Sequence, residues 1–149
     1  MKNSVLSTLR IFGACFVIAA ACVPVQAAAA VIATVPFDFV VCNQKLAAGE
    51  YSVTVDRLQN TILLRSEGDG SAMFALTNAA QAGKTSENAR LIFKRYNDRY
   101  FLWQIFPAGT SDGRELQPSR RELEMARGAG KPEVVSLLIS SPGVRRPAH

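Results

Sequence analysis

From Tyr51 onward the chain alternates apolar and polar: Tyr51, Val53 and Val55 are interleaved with Ser52, Thr54 and Asp56. A period of two places every second side chain on one face of an extended strand, and aromatic and β-branched residues suit that half-buried surface. The same pattern starts at Thr34, where Val35, Phe37, Phe39 and Val41 are set against Pro36, Asp38 and Val40. Pro36 has no N–H to give a ladder, so this strand is expected to begin at a sheet edge. Further extended runs cover 61–65, 72–77, 89–96, 100–106 and 134–139. Polar breaks separate them at 43–49, 57–60 and 67–71, the last with Gly68 and Gly70 able to take positive φ. Asn97-Asp98 suits a tight hairpin between the fifth and sixth runs, while 78–88 has no periodicity and reads as a loop. Seven short strands at this spacing predict an all-β, mainly antiparallel domain, a small barrel or a sandwich.

One helix interrupts the strands late in the chain. Ser119 and Glu122 have capping-box spacing, with Pro118 and Leu123 placed for a hydrophobic staple. Gly128 stands where a C′ glycine would end the helix. A helix of this length is marginal alone and must dock, by Leu123, Ala126 and Met125. In 100–106, Phe101, Trp103 and Ile105 fall on one face while Tyr100, Leu102 and Phe106 fall on the other. Both faces therefore need cover, either from the helix or by lining a cavity.

The first 27 residues read as a processing signal. Lys2 and Arg10 precede an uncharged apolar run, and Val25-Gln26-Ala27 offers small residues at the cleavage positions. Two other readings exist. The run without charge from Ile11 to Phe37 is long enough to span a bilayer, although Pro24 and Gln26 interrupt it. Ala19-Ala20-Ala21 before Cys22 gives a poor lipobox. Cleavage after Ala27 predicts export to the periplasm or beyond, a linker at 28–33, one domain at 34–141 and a flexible tail at 142–149. Such a domain is large enough for its own core. Cys42 would be its only cysteine, expected as a small buried hydrophobe at a strand end, with no intrachain disulfide. The formal charge of +5 becomes +3 without Lys2 and Arg10, and the remaining charges are interleaved. Such a balance suits solubility more than nucleic-acid binding.

Catalytic equipment is sparse. The single histidine is His149, the last residue, which removes the usual base for a serine or cysteine nucleophile. One cysteine and a terminal histidine do not make a closed zinc site. Lys45, Lys84, Lys94 and Lys131 fall in turns or exposed strand positions, against a serine–lysine dyad. Asp38, Glu50 and Asp56 lie near one another in sequence, as a carboxylate hydrolase would need, but on the outward parity of their strands. Glu67 and Asp69 lack the later ligands of a calcium loop. Lys94, Arg95, Tyr96, Arg99, Tyr100, Phe101 and Trp103 mix bases with aromatics as single-strand binders do, a pattern that cross-strand pairing also produces. Arg114, Arg120, Arg121 and Arg127 beside Glu115, Glu122 and Glu124 read as a salt-bridged exposed helix face. No catalytic, metal or cofactor residue is assigned on this basis.

The strings Val35-Pro36-Phe37-Asp38-Phe39-Val40-Val41 and Ala48-Gly49-Glu50-Tyr51-Ser52-Val53 carry a resemblance. With Arg95-Tyr96, Tyr100-Phe101-Leu102 and Gly113-Arg114-Glu115-Leu116, the chain resembles a group of short secreted proteins of environmental bacteria. The resemblance implies export and a β-rich fold, and brings no site residue with it.

The function expected from the sequence is binding without catalysis in the envelope or outside the cell, including carriage of a small apolar ligand inside a β-barrel. Phe37, Phe39, Tyr51, Phe74, Phe93, Leu102 and Trp103 are its candidate lining or core residues. The alternative is an envelope protein–protein module that offers a strand edge or hairpin. A carboxylate hydrolase is the remote third, resting on Asp38, Glu50 and Asp56 alone.

Overall fold

The computed structural model describes residues 30–139, so the expected signal at 1–27 and tail at 142–149 lie outside the described residues. In chain order the elements are β1 (Ala30–Val35), β2 (Phe39–Val41), β3 (Gln44–Leu46), β4 (Gly49–Asp56), β5 (Thr61–Ser66), β6 (Ala72–Gln81), β7 (Ala89–Tyr96), β8 (Arg99–Phe106), β9 (Asp112–Leu116), α1 (Arg120–Ala129) and β10 (Glu133–Ile139). The described residues are mostly β, built as one open, mixed sheet of ten strands with a single short helix among them.

Ten strands replace the expected seven for identifiable reasons. The alternation from Thr34 to Val41 is two strands, because the ladder to β4 ends at Val35 and Pro36 has no donor to extend it. Residues 30–33, expected as a linker, are most of β1, and pair with Tyr51 to Thr54. The expected turn at 43–49 contains β3, joined to β2 by Cys42 and Asn43 with Val41 facing Gln44. Cys42 takes φ 54° there and is half-buried against the core rather than fully enclosed. The polar 112–116 segment, rich in charge and so without an apolar signature, becomes β9 between β6 and β8.

The pairing runs β1-β4-β5-β6-β9-β8-β2-β3, with β7 on the other side of β8 and β10 outside β7. Two strands organise it. Residues of β6 up to Leu76 pair with β5, and those from Thr77 to Gln81 pair with β9. At the switch, both the N–H and the hydroxyl of Thr77 donate to the carbonyl of Asn60, at 2.8 and 3.0 Å. β8 pairs along its length with β7. Its other edge is shared by β2, parallel at Tyr100 and Phe101, and by β9 at Gln104 and Ile105. This curl brings β1 beside β10 without a hydrogen-bonded ladder between them.

The main core occupies the concave side. Val35, Val53, Ile62, Leu64, Leu91 and Phe93 are enclosed there, with aromatic edge-to-face contacts linking Phe39 to Tyr51 and Phe93. Register decides which residues reach it. The β7–β8 ladder shifts after Ile92, which faces Gln104 while Phe93 faces Leu102. Trp103 therefore has no partner on β7, and Ile105 joins Leu102 on the core side instead of sharing a face with Phe101 and Trp103. A bulge of this kind breaks the period of two that a regular strand would keep.

The outer face of β7, β8 and β2 is covered by α1. Ser119 caps it, its Oγ accepting from the Glu122 N–H at 3.1 Å. The helix runs past Gly128 and ends at Gly130, whose φ of 77° provides the stop. Met125 and Ala126 pack on Val40, Tyr96 and Phe101 as the docking requirement suggested, but Leu123 is 48% exposed. Glu122 takes the inward place instead. Arg114 and Glu115 belong to β9 rather than to the helix, so the expected salt-bridged helix face does not form as a unit.

Candidate functional site

The concave side is not filled at one end. A cavity of about 420 Å³ opens there, between β1, β4, β7, β8 and β10. Its walls include Val31, Val53, Val55, Leu91 and Ile139, aimed inward by strand alternation, and Ile105, turned inward by the bulge in β8. Phe106, Pro107 and Ala108 close one side, and Arg57 is the one charged residue among the lining. Ligand sites of about 300–1,000 Å³ with mostly apolar walls and few polar groups are the common kind.

None of the seven aromatic and aliphatic candidates lines this cavity. Phe39, Tyr51, Phe93 and Leu102 are packed in the core, with the Tyr51 hydroxyl donating to the Ala47 carbonyl at 2.6 Å. Phe37 is half-buried, stacked on Tyr100 at 3.9 Å and set edge-on to Phe93. Phe74 is 70% exposed on the convex side, and Trp103 lies on the helix side beneath Lys94. The residues that do line it are inward-facing aliphatics of five strands. The alternation marks most of them as inward, Ile105 being the exception, but no signal along the chain separates a packed aliphatic from a lining one.

The loop at 57–60, which carries Arg57, is tied from both sides. Asp56 Oδ1 accepts from the N–H groups of Leu58 and Gln59 at 2.9 and 3.0 Å. From β9, Arg114 donates through Nη1 to Asn60 Oδ1 and through Nη2 to the Arg57 carbonyl, each at 3.0 Å. No carboxylate pairs with the Arg57 side chain among the described residues.

The other titratable groups are held in structural contacts. Asp38 pairs with Lys45 at 2.8 Å and accepts from the Ala48 N–H, and these keep its carboxyl below the usual range. Asp69 is lowered to about 2 by the Ser71 N–H and by the Ser66 and Ser71 hydroxyls. Glu50 is exposed and Asp56 is committed to its turn, so Asp38, Glu50 and Asp56 form no paired acid and base. No cluster of three metal-ligating side chains occurs among the described residues. Lys94 is not an exposed strand lysine: its Nζ lies 4.2 Å from the Trp103 ring centre and 3.9 Å from Glu122. Burial drives the Glu122 carboxyl up, against the opposing pull of Lys94 and the Ser119 cap. Glu122 lines no part of the cavity.

Most of the basic–aromatic hairpin is also consumed internally, Arg99 being exposed. Tyr96 and Phe101 meet edge to face beneath α1, Tyr100 stacks on Phe37, and Arg95 bonds Glu133 at 3.2 Å. Arg90 Nε is buried without a hydrogen-bond partner, and its guanidinium lies 5.2 Å from the Phe106 ring centre, a contact that offsets part of the desolvation.

The fold and cavity define a mostly β protein whose curled open sheet leaves an apolar recess at one end of its core. Compared with known family models, curated proteins and solved structures, the chain matches none.

Proposed function

We propose that this is a non-enzymatic binding protein of the envelope or extracellular space, working after export, which holds a small apolar ligand in the cavity beside Arg57. In this reading the curled sheet acts as a small, incompletely closed barrel, with β1 and β10 flanking the recess. The observation that carries it is the cavity of about 420 Å³ walled by aliphatic residues of five strands. An apolar recess of this kind gains by exchanging poorly bonded water for hydrocarbon. The test is titration with the neutral fluorophore N-phenylnaphthylamine, using the wild type and Val55→Trp, which fills the recess from a half-buried position. Saturable fluorescence enhancement in the wild type, lost in a folded Val55→Trp, is the expected result. No saturable enhancement in the wild type would overturn the proposal.

A second reading has its own observation. Phe74 and Leu76 are 70% and 76% exposed on the convex side of β6, more apolar surface than a solvent face needs. It suits a protein partner. Native mass spectrometry of protein isolated from its own envelope tests this. An additional polypeptide that is absent with Phe74→Ser/Leu76→Ser would favour this reading, and a small-molecule mass would favour carriage.

A further inference from the structure

Resting on the carriage reading, we propose that the cavity's ligand is a single-chain aliphatic carboxylate, with its chain among the valines and leucine and its carboxylate on Arg57. Four features converge. The lining side chains are apolar except for one cation, so the complementary ligand is apolar except for one anion. The volume of about 420 Å³ lies low in the range of ligand sites, which suits one chain rather than two. The Arg57 side chain has no carboxylate partner among the described residues, although Asp56 and Arg114 hold its loop from either side. Those bonds fix the base of the side chain while leaving its guanidinium uncommitted, an arrangement that lowers the ordering needed on binding.

The anion's chemistry follows from the count of cations. A planar guanidinium offers two parallel N–H donors to a carboxylate. A phosphate monoester carries close to two charges at neutral pH, and its second charge would meet no cation in this lining. Arg114 cannot serve as that partner without giving up its bonds to Asn60 and the Arg57 carbonyl.

The experiment compares dodecanoate, dodecanol and dodecyl phosphate by displacement of N-phenylnaphthylamine from the wild type, Arg57→Gln and the control Arg127→Gln, on the exposed helix surface. Expected in the wild type is dodecanoate binding about three- to fivefold tighter than dodecanol at low ionic strength, since Arg57 is exposed at the cavity mouth. The preference should shrink with salt. Arg57→Gln should abolish it by weakening dodecanoate more than dodecanol, and Arg127→Gln should leave it intact. Equal binding of dodecanoate and dodecanol by the wild type overturns the carboxylate assignment and leaves carriage standing. So does tighter binding of dodecyl phosphate, or loss of the preference in Arg127→Gln. Displacement by none of the three overturns the carboxylate assignment, whereas absence of saturable N-phenylnaphthylamine binding in the wild type overturns carriage as well.

Discussion

Gly113 has no room for a side chain. A methyl group there would meet the Phe106 ring and lie 2.6 Å from the Ile105 carbonyl oxygen. Gly113→Ala should therefore destabilise the fold by about 1–3 kcal/mol, the usual range for overpacking, as read by urea denaturation. Because Phe106 also lines the cavity, the same variant should weaken probe binding. Size and apolarity alone do not say where a residue goes, as Phe93 and Phe74 illustrate. Phe93→Ala should cost about 3–5 kcal/mol, whereas Phe74→Ala should stay within about 0.5 kcal/mol. Phe74 points outward because Ala75 and Met73 lie opposite Ile62 and Leu64, whose side chains fill the core. Had β6 slipped by one residue, Phe74 and Leu76 would be inside. Cys42 presents a different case. Burial pushes its thiol up, so little thiolate forms near neutral pH. Alkylation of the folded protein by iodoacetamide should be slower than alkylation in denaturant.

At the scale of elements, the helix was the most legible part of the chain because its start is written in local chemistry. Ser119 caps as its type requires, and Ser119→Ala should cost about 1 kcal/mol. Its contacts were less legible. Apolarity favours Leu123 for the docking face, yet the packed surface runs through Glu122, Met125 and Ala126. Placing Lys94 beside Glu122 lets a carboxylate occupy an inward position that a sequence pattern assigns to leucine. This placement predicts a pH dependence. Glu122 has a higher pKa folded than unfolded, so the native state binds its proton more tightly. Its contribution to stability is then most favourable below the ordinary glutamate range and declines as pH rises through the folded value. Chemical denaturation across this window should show a declining component that Glu122→Gln removes. Asp38 and Asp69 act in the opposite sense and at lower pH. Their native carboxyls are lowered, so their contribution is present above the ordinary aspartate range and lost as pH falls.

For the whole molecule, the decisive strand is β1. Its residues 30–33 were legible only as part of a linker, because they continue the uncharged run of the leader with no turn signal to separate them. Folded, it covers the edge of β4, buries Ala33 and Val35, and contributes Ala30 and Val31 to the cavity. A chain starting at Thr34 should therefore have a lower denaturation midpoint than one starting at Ala28, and should bind N-phenylnaphthylamine less well. Equal midpoints would show that residues 28–33 serve as the linker their composition suggests. The long-range pairing of β1 with β4 and of β10 with β7 also places much of the fold beyond the reach of local signals.

By itself, the sequence determined the strand-rich class, the turns at Asn97 and Gly70, the cap at Ser119 and the shortage of histidine chemistry. Each of these depends on one residue or its near neighbours: a side chain's parity, a tolerated positive φ, an oxygen within reach of an amide. The tertiary structure decided the switch of β6 between partners, the bulge at Trp103 and the helix face that docks. It also decided that aliphatics of five strands surround a recess beside Arg57. Those outcomes depend on distant strands meeting in one register, where the inward residues of each constrain the next.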